Sequence, residues 1–300
     1  MSAMVEDVAT HAEPLRNEPM RRHTSWRVGG PADLYYEPAS VAELQEILAS
    51  LPRGVPLLWL GLGSNLLVRD GGLRGAVIAT GALPRGLERL DGGRVLAGAG
   101  LPCALLARQC VRWQLGPAAF FAGIPGSVGG ALAMNAGAFG GETWANVERV
   151  TTIDRAGKLY GRERAEFTVG YRSVQGPPGE WFLDATFALA DDATTTGGLK
   201  AMLARRNATQ PLGSPSCGSV FRNPPGDHAG RLIESAGLKG ARIGGAVVSE
   251  KHANFIINDG DATAEDVERL VEHVRAEVEK ASGVRLELEV RVVGEPGGAR

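Results

Sequence analysis

Val55-Pro56-Leu57-Leu58-Trp59-Leu60-Gly61-Leu62-Gly63-Ser64-Asn65-Leu66-Leu67-Val68 runs from an apolar strand into a glycine turn and back into an apolar strand. Strand followed by glycines suggests a dinucleotide fold, but G-x-G-x-x-G would need glycine at position 66. That residue is Leu66, and the chain continues as strand rather than helix. A Walker loop is missing too, since Gly157-Lys158 is followed by Leu159. There remains a loop of small residues whose free N–H groups can cradle a phosphate as a backbone nest does. Taken alone, it reads more readily as a tight turn.

A second cluster changes the balance. Gly123-Ile124-Pro125-Gly126-Ser127-Val128-Gly129-Gly130-Ala131 continues through Met134-Asn135-Ala136-Gly137-Ala138. A core helix does not spend glycine this way, at about 1 kcal/mol each against alanine. Such density lays backbone directly against a flat or charged ligand, with Gly63 and Gly126 as the positions of closest approach. Two such loops predict one large phosphorylated cofactor held between two subdomains.

Composition sets the frame. The chain has 300 residues, room for about two domains. Apolar residues are 44% and charged residues 22%, which excludes a disordered or fibrous chain. Glycine is the outlier at 42 residues, about twice ordinary usage. With 32 basic residues against 34 acidic and a net charge of −2, the basic excess of a nucleic-acid binder is absent. Cys103, Cys110 and Cys217 show no C-x-x-C spacing, so neither a disulfide framework nor a zinc knuckle is expected, only buried thiols. Residues 1–20 carry acidic residues and no apolar run, a polar mobile tail rather than a signal peptide. The uncharged stretch Trp113 to Gly141 could span a membrane by length, but Gly116, Pro117, Gly123, Pro125 and Gly126 would break a spanning helix. It reads as a buried loop system in a cytoplasmic protein with no membrane insertion.

Local patterns outline the rest. Ser40-Val41-Ala42-Glu43 opens an amphipathic helix through Leu51 with Val41, Leu44, Ile47, Leu48 and Leu51 on one face. Strands are expected at Ala76–Ala79 and Arg94–Ala97, a helix from Pro102 to Gly116, and a hairpin through Val147–Asp154 and Lys158–Tyr160. Asp191 to Gly198 reads as a linker. Thr263 caps a long helix with Val267, Leu270, Val271, Val274 and Val278 on one stripe, ending at Gly283. Val284 to Val292 alternates strictly, with Arg285, Glu287, Glu289 and Arg291 outward. The fold class is α+β, with a first domain over 21–192 (subdomains 21–75 and 76–192) that carries both glycine loops and a C-terminal domain over 199–300.

The two glycine loops resemble the paired FAD loops of the vanillyl-alcohol-oxidase-like flavoproteins. Thr24-Ser25-Trp26-Arg27-Val28-Gly29-Gly30-Pro31-Ala32, Gly170-Tyr171-Arg172, Cys217-Gly218-Ser219-Val220-Phe221-Arg222-Asn223-Pro224 and Leu288-Glu289-Val290-Arg291 narrow this further. Together, from about Arg21 to Gly294, they resemble the UDP-N-acetylenolpyruvoylglucosamine reductase (MurB) family. The short connection from Tyr171 to Ser219, without an inserted tyrosine-bearing loop, resembles its type II branch.

That resemblance implies non-covalent FAD, NADPH as hydride donor, and an enolpyruvyl UDP-sugar as substrate in peptidoglycan synthesis. No obligate protein partner is implied. Trp59, Gly61, Gly63, Ser64, Asn65, Leu66, Gly123, Ile124, Pro125, Gly126, Ser127, Gly129 and Gly130 are the residues expected at FAD. Ser219, blind a turn serine, is implied as the proton donor, and Arg172, blind a surface arginine, as the fork facing the substrate carboxylate. Alternation puts Glu287 and Glu289 on one face and cannot choose between them; only the Glu-Val-Arg context picks Glu289 as the third catalytic group. Tyr171, Asn223 and His252 are expected at substrate, though His252 reads nearly as well as an ordinary surface histidine. His23 invites covalent flavin attachment, which the resemblance does not support. The rival readings are a non-catalytic FAD electron-transfer module, which has no use for the Ser219 motif, and a related flavin oxidase.

Overall fold

A computed structural model describes residues 13–298 as three lobes that meet at the glycine loops. The first is a four-stranded sheet in the order Leu15–Pro19, Pro31–Tyr36, Leu73–Ala79, Leu57–Leu60. Its outer pair is antiparallel and its other pairings parallel. Ser40 caps the helix Val41–Ser50 by accepting from Glu43 N at 3.1 Å, and the Glu43 carboxylate reaches back to Ala39 N at 2.7 Å. The helix then lays Leu44, Ile47 and Leu48 onto Ile78 and Tyr36, as its periodicity predicts.

The second lobe is an antiparallel sheet in the order Leu159–Glu163, Val147–Asp154, Glu180–Ala188, Arg94–Gly98, Leu87–Arg89. The helices Cys103–Trp113 and Val128–Met134 and the 3₁₀ turn Ala119–Gly123 cover it. The uncharged stretch therefore folds into this core, with Phe120, Phe121 and Leu132 buried. No helix among the described residues is long and apolar enough to cross a membrane.

The third lobe packs the helices Ala229–Ser235 and Ala264–Ser282 on a small sheet, Arg242–Ile243, Ala246–Val248 and Ile256–Asn258. Thr263 forms a full capping box with Asp266, and the predicted stripe from Val267 to Val278 is buried. Each such side chain contributes about 1.5–3 kcal/mol when fully buried. Trp26 plugs this lobe from the N-terminal side: it is fully buried, its indole donates to Ile256 O at 2.7 Å, and its own carbonyl accepts from Asn258. Asp70, just beyond the first glycine loop, caps Ala264 and Glu265 at 3.0 and 2.9 Å. The lobes are thereby clamped beside that loop.

Several expectations are corrected. Of the tail 1–20, residues 1–12 lie outside the described residues, but Leu15–Pro19 is an edge strand and Met20 is fully buried. An edge strand needs only backbone pairing, so Leu15, Arg16 and Asn17 can all be exposed within it. The subdomain boundary at 75/76 cuts the strand Leu73–Ala79, so it belongs after that strand. The linker 191–198 already begins the helix Thr196–Thr209, whose Leu199 is buried in the second lobe's core. The C-terminal lobe therefore starts after Thr209 rather than at 199. The helix from Pro102 ends at Trp113, because Gln114 turns left-handed (φ 56) and Leu115–Gly116 pairs as strand with Ala190–Asp191. Of the alternating run 284–292, only Arg291–Val293 forms a regular strand, parallel to Leu66–Val68. The rest is extended chain that buries Leu286 and Val290 and bonds beside Val220 and Arg222. Alternation reports which face is buried, not whether a ladder forms.

Candidate active site

A cavity of about 500 Å³ opens where the lobes meet, with both glycine loops on its wall. The first loop is held from behind. Ser25 N donates to Gly63 O at 3.1 Å, the Cys217 thiol contacts the carbonyls of Gly63 and Leu66, and Arg291 N donates to Asn65 O. Gly63 is at φ +60, and a Cβ there would fall 1.9 Å from His23 O, so this glycine is fixed by the fold itself. Gly126 is different: an added Cβ would meet only Ser64 Oγ at 3.3 Å and Ile124. It leaves open a space that a side chain would fill. The N–H groups of Leu62, Gly63, Ser64, Gly126 and Ser127 donate to no acceptor among the described residues. Unspent donors on two facing glycine loops suit the diphosphate of FAD. Ser127 caps the helix Val128–Met134 with Gly130 N on its Oγ at 3.4 Å.

Arg172 comes from the hairpin Thr168–Gly170/Ser173–Gln175, at the second position of its two-residue turn. Its φ of 51 is left-handed, a strained conformation for a branched fork to occupy. Its Nε donates to Glu289 Oε1 at 2.9 Å, and its terminal nitrogens donate to Asn135 O at 3.3 Å and Gly137 O at 3.1 Å. Asn135, itself left-handed, ties this hairpin down: its amide donates to Gly170 O and Glu142 Oε2 and accepts from Trp144 N. Glu289 lines the cavity while Glu287 does not and is exposed, which separates two residues that periodicity could not.

Ser219 lies beside them through a backbone register. Glu289 N donates to Val220 O at 2.8 Å and Arg222 N to Glu287 O at 2.8 Å. Asn254, buried, completes the frame: its carbonyl accepts from Val220 N, and its amide both accepts from Phe221 N at 3.0 Å and donates to Phe221 O at 2.8 Å. The Ser219 hydroxyl has no hydrogen-bond partner among the described residues, so it is open to the cavity it lines.

Of the expected site residues, Trp59, Gly61, Gly63, Ser64, Asn65, Leu66, Gly123, Ile124, Pro125, Gly126, Ser127, Gly130, Tyr171, Arg172, Ser219, Asn223 and Glu289 all line this cavity. Gly129 and His252 do not. Gly129 is a packing position, where its N–H reaches Ala99 O at 2.8 Å and a Cβ would strike Ala99. His252 packs edge-on against Phe255, its Nδ1 accepts from Asn254 N at 3.2 Å, and burial pushes its pKa down. It supports the residue that frames Ser219. Asn223 is half engaged, capping Ala229 N at 3.1 Å. Sequence reasoning missed Arg206, Asn135 and Asn254. Two of them act through backbone contacts that no spacing reveals, and Arg206 sits on the helix Thr196–Thr209, whose faint apolar pattern gave no sign of a helix.

Fold and cavity define a two-loop flavoprotein enzyme with a separate C-terminal lobe over the flavin site. Residues 32–161 match the FAD binding domain family, and residues 210–293 match the family described as UDP-N-acetylenolpyruvoylglucosamine reductase, C-terminal domain. The chain is 59% identical to the UDP-N-acetylenolpyruvoylglucosamine reductase of Alkalilimnicola ehrlichii, over 93% of this chain and 94% of that one. It is 57% identical to that of Methylococcus capsulatus, over 94% and 93%. Its fold is similar to the crystal structure of the same enzyme from Thermus caldophilus, with a TM-score of 0.79 at 35% identity over 93% of this chain and 98% of that one. The chain belongs to the UDP-N-acetylenolpyruvoylglucosamine reductase family.

Proposed function

We propose that this enzyme uses FAD to reduce the enolpyruvyl group of UDP-N-acetylglucosamine enolpyruvate, giving UDP-N-acetylmuramate for peptidoglycan synthesis, with NADPH as hydride donor. The observation that carries this reading is the convergence of Ser219, Arg172 and Glu289 on the cavity that both glycine loops line. A bare electron-transfer module or a simple oxidase has no use for that trio. FAD, when bound, relays hydride from the nicotinamide to the terminal vinyl carbon of the substrate.

The protein's own residues handle charge and proton. Hydride at the vinyl carbon leaves negative charge on the neighbouring carbon, delocalised into its carboxylate as an enolate. Arg172, fixed by three acceptors, presents its remaining N–H groups to that carboxylate and stabilises the growing charge. Glu289 orients the guanidinium through Nε. Ser219 gives its proton to the carbon; a hydroxyl is a weak acid, but an enolate is basic enough to take it. Tyr171 and Asn223 are assigned to substrate from their places on the cavity wall.

Ser219→Ala tests the assignment. Reduction of the flavin by NADPH generates no carbanion, so it should stay near wild type. Reoxidation by the enolpyruvyl UDP-sugar should fall about 10²–10⁴-fold, with partial recovery in Ser219→Cys, whose thiol can donate. Rapid mixing separates the two half-reactions; unchanged reoxidation in the Ala variant removes Ser219 as the acid.

A further inference from the structure

Arg222 sits between Phe221 and Asn223, which both line the main cavity, yet Arg222 does not line it. Its backbone is framed on each side. Arg222 N donates to Glu287 O at 2.8 Å, the buried Phe221 is bonded through both N and O by Asn254, and Asn223 caps Ala229 N. From this frame in the C-terminal lobe the guanidinium crosses to the second lobe, where Nη2 donates to the backbone carbonyl of Arg172 at 3.3 Å. That is its one side-chain hydrogen bond among the described residues, and its Nε is buried with no acceptor among them. A buried donor left unpaired costs stability, which points to a role for this side chain other than holding the fold together.

The carbonyl it reaches belongs to a residue that needs holding. Arg172 is at φ 51 in the turn of its hairpin, where glycine or asparagine is ordinary. Its fork meets Glu289 Oε1, Asn135 O and Gly137 O only while the backbone beneath keeps that strained conformation. Rotation about the N–Cα bond of residue 172 toward negative φ would carry its side chain and its carbonyl round together. A donor that pins the carbonyl therefore pins the fork. The Arg222 bond also joins the second and C-terminal lobes at the residue that the Arg172–Glu289 ion pair already ties across them.

We propose that Arg222 is a positioning residue for the reduction: it acts through the Arg172 backbone, holding that left-handed turn so that the fork faces the substrate carboxylate. The proposal rests on the function proposed above, in which Arg172 clamps that carboxylate. Arg222 itself touches neither substrate nor flavin.

The test compares wild type, Arg222→Met, Arg222→Lys, Arg172→Lys and the double variant Arg172→Lys/Arg222→Met, all flavin-loaded, by anaerobic rapid mixing. Methionine keeps much of the stem and removes the donor. Flavin reduction by NADPH should stay within about threefold of wild type, while reoxidation by the enolpyruvyl UDP-sugar falls about 5–50-fold, the scale of a misplaced catalytic group. Arg222→Lys should recover most of the loss, because an ammonium can still donate to the carbonyl. Lysine at 172 has no fork to aim, so adding Arg222→Met to Arg172→Lys should cost less than about threefold more. Binding to the oxidised enzyme, read from the flavin spectrum, should weaken for UDP-N-acetylmuramate, which carries the carboxylate, and stay unchanged for UDP. Thermal melts of Arg222→Met should be no lower than wild type, since an unpaired buried N–H is removed.

Unchanged reoxidation in Arg222→Met overturns the proposal. Equal losses in both half-reactions, or fully multiplicative losses in the double variant, overturn it too, since Arg222 would then serve the fold or act independently of Arg172. Weakened UDP binding would make Arg222 a direct anion contact and overturn it likewise. Should Arg222→Met not fold, Arg222→Gln, whose amide is two bonds shorter than the guanidinium, carries the same expectations. Wild type that never reoxidises with the enolpyruvyl UDP-sugar removes the reading of function, whereas intact wild-type turnover with an unaffected Arg222→Met removes the positioning role alone.

Discussion

Replacing Arg172 by lysine keeps the charge and removes the fork. The guanidinium meets Glu289 Oε1 at 2.9 Å through Nε, Asn135 O at 3.3 Å and Gly137 O at 3.1 Å. That leaves one N–H on each terminal nitrogen for a carboxylate. A lysine ammonium must choose among Glu289, the two carbonyls and the substrate, and it cannot hold a planar anion with two parallel bonds. A hydrogen bond to a charged group is worth about 1.5–3 kcal/mol, so losing one in the transition state should slow substrate-driven flavin reoxidation about 10–150-fold. Flavin reduction by NADPH needs no carboxylate clamp and should change less than about threefold. Anaerobic rapid mixing, first with NADPH and then with substrate, reads the two rates separately. Equal losses in both half-reactions would mean that Arg172 serves the flavin or the fold, and the assignment would fail.

Gly126→Val should give folded protein depleted of flavin, whereas Gly63→Ala should fail to fold stably, because its Cβ meets a backbone carbonyl at positive φ; flavin content and thermal melts read the contrast, and full flavin in Gly126→Val would refute it. Burial pushes the thiols of Cys103, Cys110 and Cys217 up to about 12, so a thiolate-specific reagent at pH 8 should label none of them until the chain is unfolded. Rapid labelling of the native protein would contradict the packing. Burial lowers the pKa of His252, so the unfolded chain takes up its proton first as pH falls through about 6.5. Stability should therefore drop toward pH 5, and His252→Gln should flatten that part of the pH dependence of the melting temperature; an unaltered slope would show that His252 does not contribute.

What the sequence disclosed and what it hid divide along physical lines. The capped helices at Ser40 and Thr263 and the stripe from Val267 to Val278 were legible because a cap and a period of 3.6 are local. The two glycine loops pointed to a large phosphorylated cofactor, and the α+β flavoprotein fold came from the family resemblance they carry together with the motifs around Trp26, Arg172, Ser219 and Glu289. Gly63 and Gly126 looked alike, yet one answers to a carbonyl of His23 and the other to open space, a distinction made by contacts distant in sequence. Likewise, nothing local could show that Glu289 rather than Glu287 faces Arg172. That choice depends on Glu289 N bonding Val220 O, across almost seventy residues of chain. The edge strand Leu15–Pro19 was hidden for the opposite reason, since backbone pairing leaves no mark on exposed side chains.

A single cavity that binds FAD and passes a hydride from a nicotinamide donor to an enolpyruvyl UDP-sugar has a visible signature. The spectrum of the purified protein, recorded under anaerobic conditions and followed through two additions, reads it directly. The protein should be yellow, bleach on adding NADPH, and regain its flavin spectrum when UDP-N-acetylglucosamine enolpyruvate is added next, with UDP-N-acetylmuramate formed in equal amount to the flavin reoxidised. A colourless protein, or a bleached flavin that stays bleached in the presence of that substrate, would contradict this function.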